Sequence, residues 1–202
     1  MTISWFGFNY FKFQNTSHSL ILNPYSLDEK TTFSKVKKDL VLFSDPNRPE
    51  IKKYLDNQTL VIDSQGEYEK NDIFVYGKNI RKHLCYLINF EGIKIAFLGE
   101  FGHHELENSD LELIEGVDVL ILPVGGGDLT SAKEAIRIVN QIEPRIVIPS
   151  CHADNPSKMK LDDVSIFIKE FGGKAEELDK IKINKKDLQT EDVKLIILKS
   201  QK

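Results

Sequence analysis

Three apolar stretches of the chain each end abruptly in a short polar loop: Leu40–Phe43, Ile93–Leu98 and Ile146–Pro149. Short apolar runs bounded by polar or chain-breaking residues are typical of strands that are buried on both faces of a sheet. Loops that follow such strands commonly carry the functional side chains of an α/β scaffold. These three loops are therefore where the sequence predicts a site.

The loops contain carboxylate, amide and imidazole side chains. If the three strands lie side by side, these groups meet at one edge of the fold: Asp45, Asn47, Glu50, Glu100, His103 and His152. Carboxylates and imidazoles are common metal ligands in proteins. The pattern is thus compatible with a cation site, although the residue types alone do not establish one.

The whole chain is predicted to form one α/β domain over residues 1–202. Its composition is that of a globular protein, with 41% hydrophobic and 29% charged residues. The first half consists of short strands and includes a predicted hairpin that turns at residues 91–92. The second half alternates helices and strands. Ser109 is expected to begin one helix in a capping box with Glu112, and Thr130 to begin the next.

Six motifs follow one another along nearly the whole chain: Ser4–Gly7, Ile21–Tyr25, Val61–Glu69, Phe97–His103, Val119–Gly127 and Pro144–Pro149. In order and spacing they resemble the metallo-β-lactamase superfamily, in particular its short branch of Zn-dependent hydrolases related to ascorbate-phosphate lactonase. The resemblance implies a four-layer αββα sandwich, in which two mixed β-sheets face each other and helices lie outside.

The metal-binding motif of that family is altered in this chain. The family has His-x-His-x-Asp-His after the first of the three strands, and the four ligand positions here are Asp45, Asn47, Pro49 and Glu50. The family's bridging aspartate matches Glu100, and its last histidine is retained as His152. His83 is the only candidate for a further family histidine. Near the N-terminus, Gly7-Phe8-Asn9 stands where the family often has Gly-His-Ser, and Asn23-Pro24 stands where it has Asp-Pro.

Two hypotheses about this site remain open. The residues able to ligate a metal are Asp45, Glu50, Glu100 and His152. Three carboxylates and one imidazole suit one Mg²⁺ or Mn²⁺ ion better than a pair of Zn²⁺ ions. The first hypothesis is that no metal binds and that these are solvated loop carboxylates. The second is that they hold one divalent cation, Mg²⁺, Mn²⁺ or Zn²⁺. The pocket is expected to include Asn47, His103, Gly125 and Gly126.

From the altered motif we expect a non-catalytic binding or assembly protein without the usual binuclear zinc site. The alternative is a metal-dependent hydrolase of an ester, lactone or phosphoester with a rebuilt, carboxylate-rich site. The expected partner is a small molecule or a protein, with self-association as an option. A net charge of −4 argues against nucleic acid. No apolar run approaches the roughly 20 residues that span a bilayer. Two cysteines without a disulfide framework favour the cytoplasm.

Overall fold

The computed structural model describes residues 1–24, 38–45, 55–103, 105–153, 160–189 and 192–201. The strands in these ranges are β1 Thr2–Trp5, β2 Phe11–Gln14, β3 Ser19–Leu22, β4 Leu40–Leu42, β5 Leu60–Ile62, β6 Gly66–Lys70, β7 Ile73–Ile80, β8 His83–Phe90, β9 Ile93–Phe97, β10 Val119–Pro123, β11 Ile146–Ser150, β12 Ala175–Leu178, β13 Ile181–Lys182 and β14 Lys194–Leu198. The α-helices are α1 Asn108–Ile114, α2 Ala132–Ile142 and α3 Val164–Phe171.

The strands form two mixed sheets. The first has the order β13-β1-β2-β3-β4-β5, and its β3, β4 and β5 are parallel. The second has the order β12-β14-β11-β10-β9-β8-β7-β6. Strands β6 to β9 of this sheet are antiparallel neighbours, whereas β9, β10, β11, β14 and β12 run parallel. The parallel strands place the loops that follow them at one edge.

The main core lies between the two sheets. In β2, Phe11 and Phe13 are fully buried while the alternate residues face outward, as the two-residue period of a strand requires. Phe11 meets Phe97 of the other sheet edge-on, with ring centroids 6.3 Å apart. The Tyr86 hydroxyl on β8 also joins the sheets, because it donates to the carbonyl oxygen of Phe43 at 2.8 Å.

The helices α1, α2 and α3 cover the outer face of the eight-stranded sheet and form a second core with it. Helices α1 and α2 begin close to the predicted positions, but the predicted caps Ser109 and Thr130 are wrong. In α1 the box joins Glu107 and Asp110, not Ser109 and Glu112. In α2 the cap is Ser131, whose hydroxyl accepts from the backbone N–H of Glu134. None of the helices in the described ranges has the length and hydropathy needed to cross a membrane.

The outer face of the six-stranded sheet carries a third, smaller cluster that includes Ile21, Val41 and Phe43.

The sequence predicts a short helix at residues 50–55 and one helical turn within residues 26–38. Nearly all of both segments lies outside the described residues. The predicted α/β sandwich of two mixed sheets is confirmed.

Candidate functional site

The loops after β9, β10 and β11 emerge at the same edge of the eight-stranded sheet. Val119 of β10 is in register with Ile95 of β9 and with Ile146 of β11, so the three parallel strands end together. The loop after β4, in the other sheet, reaches this edge as well. A Cβ atom placed on Gly99 would lie 2.8 Å from the Cβ of Ser44. The loops after β4 and β9 are therefore in contact, but the three strands do not all lie side by side, because β4 belongs to the six-stranded sheet.

Asp45 is held at the site through its neighbour Ser44. The backbone N–H of Ser44 donates to Oδ1 of Asn23, and Nδ2 of Asn23 donates to Oγ of Ser44, each at 2.8 Å. Asn23 is completely buried and has a φ of 44°, a left-handed conformation that asparagine tolerates better than most residues. Asp45 itself is half-buried.

Glu100 follows a glycine that packs against the Ser44 loop. Gly99 has a φ of 62°, and a Cβ there would meet the carbonyl oxygen of Leu84 at 3.1 Å as well as Ser44. Only glycine combines this backbone conformation with so close an approach. The half-buried Glu100 and Asp45 are thus on adjoining loops.

His152 follows β11 and lies against the first strands of the chain. Only 4% of its surface is exposed, and its ring is 4.7 Å from that of Trp5, with a tilt of 39°. The preceding residue, Cys151, donates its N–H to the carbonyl oxygen of Phe8 at 2.9 Å. The same carbonyl accepts from Nε1 of Trp5 at 3.1 Å. His152 is also close enough to Asp163 to lower the pKa of that carboxyl, although hydrogen bonds from Ser165 lower it more.

Gly125 and Gly126 pack against the chain that follows His152. A Cβ on Gly125 would lie 2.0 Å from the carbonyl oxygen of Cys151, and a Cβ on Gly126 would lie 2.6 Å from Oδ2 of Asp162. The N–H of Asp162 donates to the carbonyl oxygen of Gly125 at 2.8 Å. Tight packing against these neighbours therefore accounts for glycine at both positions.

His103 and His83 sit near the Glu100 loop. Nδ1 of His103 lies 3.0 Å from each carboxylate oxygen of Glu134, and Nε2 contacts the carbonyl oxygen of Gly127. His83 packs its ring edge-on against Phe101, with centroids 5.6 Å apart.

The described residues do not fit a binuclear zinc site. Among them, no three His, Cys, Asp or Glu side chains form a group able to hold a metal ion. Asp45, Glu100 and His152 are on the three converging loops but do not constitute such a group. Asn47, Pro49 and Glu50 lie outside the described residues. At the positions that match the family's ligands, the one histidine is His152, with His83 as a further candidate, whereas histidine usually supplies most ligands of such a centre.

Several residues that shape this edge were not assigned a role from the sequence. Asn23, Ser44 and Asp162 position its loops through the contacts given above. Asn9 is completely buried, and neither its Oδ1 nor its Nδ2 has a hydrogen-bond partner among the described residues. Buried amides are normally hydrogen-bonded. The replacement of a family Gly-His-Ser by Gly7-Phe8-Asn9 is the one sequence signal that pointed to this turn.

Comparison with known proteins identifies similar chains. Residues 2–151 match a family described as the beta-lactamase superfamily domain. A protein from Thermotoga maritima, described as a Zn-dependent hydrolase of the metallo-β-lactamase superfamily, is 25% identical, with a TM-score of 0.80 over 98% of this chain and 100% of the other. A metallo hydrolase from Ignicoccus hospitalis is 15% identical, with a TM-score of 0.68 over 100% and 96% of the two chains. A metallo-β-lactamase-fold protein from Bacillus subtilis is 12% identical, with a TM-score of 0.63 over 98% and 93%.

Proposed function

Because the chain belongs to the metallo-β-lactamase superfamily yet carries an altered donor set, we propose that it is a non-catalytic binding or assembly protein. The observation that carries this proposal is the chemistry of the converging loops. They offer one buried imidazole, from His152, together with carboxylates from Asp45 and Glu100. We infer that the fold has been kept while the usual pair of zinc ions has not.

A pair of zinc ions depends on the charge and the number of its ligands. Two adjacent divalent cations need many donors and a bridging group, and neutral histidines supply affinity without accumulating negative charge. At the positions that match the family's ligands, Pro49 offers no side-chain donor and Asn47 offers only a carbonyl oxygen. The ring of His152 packs against that of Trp5. These features favour a pocket that recognises a ligand over one that activates water.

The ligand is proposed to be a small molecule or a protein segment that meets the edge where the two sheets converge. The net charge of −4 disfavours binding to the negatively charged backbone of a nucleic acid. A cytoplasmic location is proposed because the chain has two cysteines, Cys85 and Cys151, which are too few for a disulfide framework. Burial raises the pKa of the Cys85 thiol well above its ordinary value, so this thiol stays protonated and unreactive.

A second candidate function is a metal-dependent hydrolase with one divalent cation, Mg²⁺, Mn²⁺ or Zn²⁺. The close contact between Ser44 and Gly99 favours it, because this contact brings the Asp45 and Glu100 loops together. The similar protein from Thermotoga maritima is described as a Zn-dependent hydrolase. Asp45, Glu50, Glu100 and His152 would hold the cation, which would supply a Lewis acid for hydrolysis of an ester, lactone or phosphoester.

A substrate panel separates the two functions. The purified protein is assayed against aryl esters, lactones and phosphodiesters with added Mg²⁺, Mn²⁺ or Zn²⁺. The variants Glu100→Ala and His152→Ala are assayed beside it, with Glu105→Ala as a control on an exposed position of the same loop. We expect no turnover above that of the variants. Turnover that is lost in Glu100→Ala and His152→Ala, but kept in Glu105→Ala, would establish the hydrolase instead.

A further inference from the structure

His103 faces a hydrogen-bond acceptor with each of its two ring nitrogens. Nδ1 lies 3.0 Å from Oε1 and from Oε2 of Glu134, which is on α2. Nε2 contacts the carbonyl oxygen of Gly127, which is in the loop after β10. A neutral imidazole has one N–H and can donate to only one of these partners, whereas the protonated ring donates to both.

The surrounding charges favour the protonated ring. The contact with the Gly127 carbonyl and the pairing with Glu134 both raise the pKa of His103, and the more distant carboxylate of Asp128 raises it further. Glu134 also accepts from the N–H and the hydroxyl of Ser131, at 2.8 and 2.7 Å. The acceptor is thus fixed at the start of α2 whether or not His103 is charged.

The two loops joined by His103 are the ones that carry Glu100 and the glycines of the candidate site. A second link between them does not depend on pH, because the Thr130 hydroxyl donates to the carbonyl oxygen of Phe101 at 2.9 Å. The Thr130 carbonyl in turn accepts from the N–H of Gly126 at 3.1 Å. Thr130 therefore anchors the base of the glycine loop, and His103 adds a contact at its tip, where the backbone of Asp128 also packs against Gly102.

We propose that His103 is a pH-sensitive clamp that holds residues 125–128 against the Glu100 loop when its ring is protonated. Since the protonated form makes both bonds, the clamp is complete below the ordinary histidine pKa of 6.5. It weakens as pH rises through the raised pKa of the folded protein. Gly125 and Gly126, which pack against Cys151 and Asp162, belong to the base held by Thr130, so the change is confined to the tip of the loop beside His103. This inference does not depend on whether the site binds a ligand or a metal.

Hydrogen exchange of residues 124–130 at pH 6 and pH 8, corrected for the intrinsic rate of exchange, tests the clamp. Because the pair is exposed, we expect protection to fall about two- to fivefold between these pH values in the wild type. His103→Gln should show no such fall. His18→Gln is the matched control, because His18 faces another carboxylate, Asp39, at 3.6 Å and far along the chain from this loop. It should respond as the wild type does.

An NMR titration of the imidazole gives an independent readout. His103 should titrate above the ordinary value, and Glu134→Gln should bring its pKa down. A pKa at or below the ordinary value would overturn the proposal. So would equal loss of protection in the wild type and in His103→Gln, or a wild type whose protection does not change with pH.

Discussion

The side chain of Ser44 lies directly against the backbone of Gly99, across the boundary between the two sheets. A Cβ atom on Gly99 would come within 2.8 Å of the Ser44 Cβ, a distance that real Cβ atoms do not adopt. Asp45 and Glu100 are the next residues on the two loops. This contact therefore sets how closely the two carboxylate-bearing loops approach each other.

Gly99→Ala should destabilise the protein more than the same substitution does at a glycine that has a similar φ but open space around it. The substitution adds a left-handed backbone penalty and a clash with Ser44 and the Leu84 carbonyl, for a total of about 2–5 kcal/mol. Gly116→Ala is the control, because its φ of 69° is similar and no atom lies within 4 Å of the added Cβ. It should cost about 1–2 kcal/mol. Equal losses in urea unfolding would show that the Ser44 contact is not tight.

Asn9 and Asn23 are both completely buried, but substitution by leucine should change the stability of the protein differently at the two positions. Asn23 is bonded twice to Ser44, so Asn23→Leu should lose about 1–3 kcal/mol. Asn9 has no hydrogen-bond partner among the described residues, so Asn9→Leu should be neutral or stabilising. Ser44→Ala, which leaves the backbone bond to Asn23 in place, should lose less than Asn23→Leu. Thermal unfolding of the three variants measures this order, and a large loss in Asn9→Leu would contradict it.

Because Asp163 caps α3, the stability of this helix should fall at acidic pH. Its carboxylate caps the helix by accepting from the N–H of Ser165 at 2.8 Å. Hydrogen bonding to Ser165, and secondarily the nearby His152, lowers the pKa of Asp163 below 3.8. The capping stability is therefore fully present above pH 3.8 and is lost as pH falls through the lowered pKa.

The matched variants for this cap are Asp163→Ala and Asp163→Asn. The alanine should cost about 0.5–2 kcal/mol at neutral pH, whereas asparagine, which also caps helices, should cost little. Stability of Asp163→Asn should also depend less on pH below 4 than that of the wild type. An asparagine variant as unstable as the alanine variant at neutral pH would rule out the cap.

The buried strands were predictable because their sequences are apolar and short. In β10 all five residues from Val119 to Pro123 are buried, as expected for a strand covered on both faces. Strands β6 and β12 were not predicted. Gly66–Lys70 contains three charged residues and Ala175–Leu178 contains two, and each lies at an edge of the eight-stranded sheet. Edge strands expose one side to solvent, so their apolar pattern is weak.

The site was predictable to the level of loops but not of side-chain partners. Glu100 and His152 follow parallel strands of one sheet, which end at a common edge, whereas Asp45 follows a strand of the other sheet and its position depends on how the two sheets pack. The pairing of His103 with Glu134 could not be read in the same way, because the two residues are 31 positions apart and their contact depends on how α2 packs. The contact between the rings of His152 and Trp5 likewise joins distant parts of the chain.

The metal content of the protein tests the central claim most directly. Protein without an affinity tag is incubated with excess Zn²⁺, Mn²⁺ or Mg²⁺, dialysed, and analysed by mass spectrometry for metal per chain. We predict far less than one tightly bound ion per chain and no rise in unfolding temperature with added cation. A pair of zinc or manganese ions per chain, lost in both Glu100→Ala and His152→Ala, would contradict the account.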